Sequence, residues 1–163
     1  MAAVMMPGAP VADAVFADLE PRIEKLLGVG HTPGLGTVLV GDDGASERYV
    51  GMKMKKAEEL GFASPHERLP QDATTADVIA AVRRLNEDPA CDAMLVQHPT
   101  PPQVDFEAVL LEMDPDKDVD GLHPTNMGRL ALGLPGPVPC TPAGIEALLA
   151  FHGIPVSGRE VCI

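Results

Sequence analysis

The sequence predicts an α/β fold, a parallel sheet with helices on both faces. Two short apolar runs, "GLGTVLVG" (34–41) and "CDAMLVQ" (91–97), read as strands buried on both sides. Helical stretches separate and flank them. Strand and helix therefore alternate, which is the pattern of crossover connections and a parallel sheet. Ligands bind such sheets beyond the carboxyl ends of the strands. The segments "DDGASERY" and "QHPTPPQVD" follow the two strands, so a site is expected there.

Each element has a local reason. "VADAVFADLEPRIEKLL" reads as an opening helix that Pro21 interrupts or kinks. The first strand follows. "ASERYVGMKMKKAEELG" is a helix with Ser46 serving its first turn and Gly61 closing it. Residues 62–69 form a weaker strand. "TTADVIAAVRRLNED" is a helix with Thr74 or Thr75 as its N-cap. After the second clear strand come a proline-rich loop, a short helix over 106–111, an acidic loop, a turn of helix over 126–132 and a helix over 142–151. The chain stops on "GREVCI", which reads as a strand just begun.

The 163 residues suffice for one ordinary domain with a real core. Aromatics make up only 3%, so that core rests on aliphatic residues and Met. A net charge of −12 repels phosphate backbones and makes nucleic acid an unexpected partner. No window of about 18 apolar residues occurs, so no membrane span is expected. "MAAVMMPGAP" has no basic stretch of the kind a secretion signal carries. Three cysteines, Cys91, Cys140 and Cys162, without a CxxC pair point to a reduced cytoplasm. The five histidines are too scattered for a zinc site.

The stretch "SERYVGMKMKK" puts the chain's one tyrosine, Tyr49, four residues before Lys53. On a helical wheel Val50, Met54, Ala57 and Gly61 form the core face. Tyr49, Lys53 and Lys56 form a stripe on its flank, and Lys55 points to solvent. A lysine at a core's edge loses hydration and becomes a usable proton-transfer group. The same spacing also suits a solvated face with a tyrosine packed on a lysine stem. It matches the pair of short-chain dehydrogenases as well. Those need an early glycine-rich dinucleotide turn, and "GVGHTPG" has Pro33 in the wrong place and precedes a strand.

"LVQHPTPP" sets Gln97 at the end of a buried strand, where its amide can orient a lysine ammonium or hold a heterocycle edge. Pro99, Pro101 and Pro102 stiffen the loop. A polar strand end before a rigid turn explains the same residues, and His98 reads as a loop residue. "DPDKDVDGLHPTNM" has acids at calcium-loop spacing from Asp116, but Met127 stands where a bidentate Glu is needed, and Pro124 breaks the register. Asp120 could instead accept two parallel N–H donors of an aminopyrimidine edge. A solvated acidic turn, with Asp118 and Asp120 capping the next helix, is the plainer alternative.

Taken in order, "PGLGTVLVGDDGASERYVGMKMKKAEELG", "LVQHPTPP", "DPDKDVDGLHPTNMGRLALG" and "PCTPAGIEALL" resemble the N-terminal part of the bifunctional methylenetetrahydrofolate dehydrogenase/cyclohydrolase family. The resemblance spans nearly the whole chain. It implies an amino-acid-dehydrogenase-like N-terminal domain and one-carbon folate chemistry that supplies purine biosynthesis. 5,10-Methylenetetrahydrofolate passes a hydride to NADP, and water then opens the methenyl product to 10-formyltetrahydrofolate. By resemblance, Lys53 is the catalytic lysine, Tyr49 stacks on the folate, Gln97 hydrogen-bonds and tunes the lysine, Asp120 grips the pterin, and Ser46 stands beside the lysine. No metal is implied. A cytoplasmic homodimer is implied.

Two departures stand out. His98 occupies a position where the family more often has leucine. The family also continues into a Rossmann domain that binds NADP, whereas this sequence stops at Ile163. The expectation is a folate-binding catalytic domain over residues 1–141, then a linking helix and the first strand of a truncated NADP domain over 142–163. Such a chain is expected to lack hydride transfer on its own. The alternatives are a non-catalytic folate-binding or dimerisation module, and a different dehydrogenase with a similar N-terminal domain.

Overall fold

A computed structural model of the chain describes residues 3–162. Helix α1 (Ala9–Gly28) opens the fold with a proline in its first turn. It continues unbroken through Pro21. Proline removes one backbone hydrogen bond, but the carbonyl it leaves, at Ala17, lies on an exposed residue where water can satisfy it. Pro21 therefore does not interrupt the helix.

Strand β1 (Leu35–Val40) is the centre of a three-stranded parallel sheet. It lies between β2 (His66–Leu69) and β3 (Ala93–Val96). Its residues are buried almost throughout, as expected of a strand covered on both faces. The start of β1 passes very close to the loop before β3. A Cβ on Gly34 would lie 1.8 Å from the carbonyl oxygen of Ala90, so only glycine fits. The Asp92 carboxylate accepts from the Gly34 amide at 2.8 Å and fixes the approach.

Helices cover both faces. Helix α2 (Gly44–Glu59) follows β1, and α3 (Thr75–Glu87) follows β2. Val38, Val40, Met94 and Val96 pack in one core with Val78, Val82 and Leu85 of α3 and Val109 of α4 (Phe106–Glu112). Alternation along the strand turns Leu35, Thr37 and Leu39 to the opposite face, where α2 lies. Thr37 is fully buried there, and its hydroxyl pairs with His66 Nδ1 at 2.7 Å.

Three helix starts have capping carboxylates or hydroxyls. Thr74 and Asp77 form a reciprocal capping box on α3, so Thr74 is the N-cap. Asp105 caps α4. Asp43 caps α2, accepting from the Ser46 amide at 2.8 Å. Ser46 does stand in the first turn of α2, but beneath the cap and buried. Gly61, at φ +76°, closes the helix as expected.

The chain after α4 adds to the sheet edge. The Met94 amide donates to Lys117 O at 2.7 Å, and the Val119 amide donates to Met94 O at 3.2 Å. Helix α5 (Pro124–Ala131) follows, then α6 (Cys140–Phe151). Helix α6 starts two residues earlier than the sequence pattern suggests, because Pro139 serves as its N-cap. It lies against α1, and the His152 ring is 3.2 Å from the carbonyl oxygen of Pro7.

A further expectation fails. Residues 159–162 of "GREVCI" form no strand. A strand needs a neighbour to take its backbone hydrogen bonds, and no strand lies beside these residues among those described. Ile163 lies outside the described residues.

Candidate functional site

A cleft of about 800 Å³ opens beside the carboxyl end of β3, where the sheet topology leads one to look, with Leu35 at the amino end of β1 in its wall. Four further stretches, distant in sequence, complete it. Helix α2 contributes Tyr49 and Lys53, the end of β3 contributes Leu95 to His98, the edge segment contributes Val119, Asp120 and Leu122, and the start of α6 contributes Pro139 to Pro142. Tyr49, Lys53, Gln97 and Asp120 are thus brought to one cavity. Ser46 is not. It is 2% exposed and its amide is engaged by Asp43.

The two flank lysines of α2 have different partners. Lys56 Nζ lies 2.6 Å from Glu59 and 4.6 Å above the ring centre of Phe16, which ties α2 to α1. Lys53 turns the other way and donates to Gln97 Oε1 at 3.2 Å. The Gln97 amide has a fixed orientation. Its Nε2 donates to its neighbour's carbonyl, His98 O, at 2.7 Å, so Oε1 must face the lysine. An ammonium carries three protons, and one goes to Gln97. The others remain available to a ligand or water in the cleft.

Tyr49 is 57% exposed and stands at the rim. It also lines an adjoining apolar groove of about 450 Å³ with Phe16, Met52 and Leu60. A flat ring with one open face is suited to stacking on a planar ligand. His98 is part of the cleft wall, its ring centre 4.8 Å from that of Phe106. The peptide bond between His98 and Pro99 is cis.

Nothing in the sequence marks Cys140 as a site residue, since it is one of three cysteines and stands within "PCTP". It is exposed as a residue, yet its thiol turns into the cleft, with Sγ 3.6 Å from Val119 O. Burial pushes the thiol up from its ordinary value. The charge and hydrogen bond of Asp120 add to this, and Lys53 acts against it. Lys53, Asp120 and Cys140 therefore share one electrostatic neighbourhood. The sequence pattern starts this helix at 142, so the place of Cys140 at its first residue is legible only in the structure.

The two candidate aspartates divide sharply. Asp120 is half-buried in the cleft wall. Asp118 is 2% exposed and turns inward, accepting from the His123 amide and from Asn126 Nδ2 at 2.8 and 3.0 Å. It does hold the start of α5, as a capping group would, but from within the protein and not from solvent.

Comparison with known proteins adds a frame to this geometry. The profile of the tetrahydrofolate dehydrogenase/cyclohydrolase catalytic domain matches residues 6–120. The bifunctional protein FolD 1 of Salinispora tropica is 56% identical over 158 residues, which is 97% of this chain and 52% of that protein. The bifunctional protein FolD of Syntrophotalea carbinolica is 48% identical over 163 residues, covering 100% of this chain and 56% of the relative. The chain thus spans about half the length of the curated relatives it matches. Among solved structures, the methylenetetrahydrofolate dehydrogenase-cyclohydrolase of Trypanosoma brucei, in complex with NADP and an inhibitor, superposes with a TM-score of 0.91 at 35% identity. That match covers 96% of this chain and 54% of the other.

Proposed function

The chain belongs to the tetrahydrofolate dehydrogenase/cyclohydrolase family, and we propose that its cleft binds a reduced folate and handles protons during opening of 5,10-methenyltetrahydrofolate. The observation that carries this reading is the Lys53 ammonium held by Gln97 at 3.2 Å, in a cavity that also contains Tyr49 and Asp120. Tyr49 stacks on the flat part of the folate. Asp120 accepts two N–H donors from the aminopyrimidine edge. Both leave the one-carbon bridge near Lys53.

The reaction follows from that placement. The methenyl carbon is electron-poor, and a water oxygen attacks it. One proton of that water is released to solvent, leaving a hydroxyl adduct. As the bond from this carbon to the pterin nitrogen breaks, the Lys53 ammonium, with Gln97 fixing its direction, gives a proton to that nitrogen and takes the hydroxyl proton in return as the C=O forms. The formyl group stays on the other nitrogen, giving 10-formyltetrahydrofolate. Cys140 borders this space as a neutral thiol.

The turn after β1 is not built to take NADP. It presents Asp42 and Asp43, and the Asp43 carboxylate already occupies the first turn of α2, where a pyrophosphate would bind. NADP binding is therefore assigned to the portion of the relatives that this chain does not match, and hydride transfer from a folate in this cleft is expected to need that portion. In the same reading residues 1–141 form the folate unit, and 142–163 lead toward the nucleotide-binding unit. A cytoplasmic homodimer serving purine biosynthesis belongs to the proposal on family grounds alone.

The test is the decay of methenyltetrahydrofolate absorbance with this chain and with Lys53→Met. Acceleration that vanishes in the variant supports the proposal. A folded chain that binds folate but accelerates nothing, with binding unchanged in Lys53→Met, would leave a binding module instead.

A further inference from the structure

A carboxylate as deeply buried as Asp118 is costly unless its lone pairs are satisfied. Both of its donors are neutral. The His123 amide and Asn126 Nδ2 converge on the same oxygen, Oδ2. Asn126 is itself fully buried and fully engaged. Its Nδ2 also donates to Pro115 O at 2.7 Å, and its Oδ1 accepts from Arg129 at 3.0 Å.

The backbone around Asp118 is fixed as well. Its neighbours on each side pair with Met94 in β3. The Lys117 ammonium closes the end of α3 by donating to Leu85 O at 3.1 Å and Asn86 O at 2.8 Å. Beyond Asp120, Gly121 takes φ +65° and presses on the chain leading into α6. A Cβ there would meet Pro137 O at 2.9 Å. Asp120 thus sits in a two-residue span between fixed points, and its side chain lines the cleft while that of Asp118 turns inward.

We infer that Asp118 and Asn126 are positioning residues for Asp120: their buried carboxylate–amide pair sets where the Asp120 carboxylate stands in the cleft, and so the fit of a folate's N–H edge. This inference rests on the reading of Asp120 as the group that grips the pterin. The pair acts through Asp120 and touches no ligand. A general stabilising role would lower the melting temperature without selecting for Asp120.

The experiment is calorimetric titration of the full 163-residue chain with tetrahydrofolate under reducing conditions, with melting temperatures recorded. Asp120→Ala is expected to weaken binding at least tenfold, as loss of a charged acceptor does. Asn126→Ala should weaken it roughly fivefold or more, but no further than Asp120→Ala does, because it acts only through that carboxylate. Asp118→Asn keeps an acceptor oxygen where Oδ2 stands and should stay within about threefold of the native chain. Asn126→Ala added to Asp120→Ala should weaken binding no further, because both act on one contact. Val82→Ala, a fully buried change in α3, should lower melting while leaving affinity within about twofold.

Native affinity in Asn126→Ala, or a full further loss on top of Asp120→Ala, overturns the inference while leaving the folate reading intact. No loss in Asp120→Ala overturns that reading, and the inference with it. Asn126→Ser removes less buried volume and gives the same decision if Asn126→Ala does not fold.

Discussion

Replacing Gln97 by methionine tests how the lysine is held. Methionine keeps the length of the side chain and removes the oxygen that Lys53 Nζ reaches at 3.2 Å. It also frees the carbonyl of His98, which solvent can satisfy because His98 is exposed. A hydrogen bond to a charged group contributes about 1.5–3 kcal/mol. This one is long and half-buried, so the lower figure applies, about 1.5 kcal/mol. If the bond is kept in the transition state, the rate of methenyltetrahydrofolate hydrolysis should fall about tenfold. Lys53→Met removes the proton carrier itself, and the loss should be on the order of a hundredfold or more. In the Lys53→Met background the glutamine has nothing left to hold, so adding Gln97→Met should change the rate by less than about twofold. The assay is absorbance decay under identical buffer and salt. A Gln97→Met chain with native rate, beside an inactive Lys53→Met chain, would show that the amide does not position the ammonium. A tenfold loss from Gln97→Met even without Lys53 would show that it acts elsewhere.

Three other outcomes are expected. Met94 is fully buried at the centre of the core, so Met94→Ala should cost roughly 2–5 kcal/mol, read as a lower urea midpoint. Acid should destabilise the fold through its caps and ion pairs. Hydrogen bonds from Ser46 hold Asp43 below the usual carboxylate range, those from Thr74 do the same for Asp77, and Arg84 does so for Glu67. Their contribution is complete above the ordinary carboxylate range and lost as pH falls through the lowered folded values, because the unfolded chain takes up protons first. Urea midpoints taken from about pH 6 to about pH 3 should therefore fall, and less steeply in Asp77→Asn; equal slopes would contradict this. The Cys140 thiol is raised by burial first and by Asp120 next, so iodoacetamide should label it slowly until the pH passes the ordinary thiol range. Asp120→Asn should speed that labelling, followed by peptide mass.

The alternating pattern of the sequence was enough for the α/β class, since the apolar runs at β1 and β3 are short, continuous and bounded by turns. Local chemistry likewise set the start of α3 and the end of α2, because a capping box and a closing glycine act within a few residues. The order of four motifs was legible too, and with it the family. Other features depend on contacts between distant segments. Lys53 and Gln97 are 44 residues apart, and only the parallel crossover places the end of β3 beside the flank of α2. Ser46 looked available from its position in a first turn, but Asp43 took the cap and packing buried the serine. The final strand was suggested by residue type and by the family resemblance, and residues 159–162 make no sheet pairing. In "DPDKDVDG" the acids are equivalent by composition. Pairing with Met94 and the close approach at Gly121 decide that Asp118 turns inward to Asn126 while Asp120 lines the cleft. Propensity and pattern act over a turn of helix or a strand. The direction of one carboxylate follows from what the rest of the chain packs beside it.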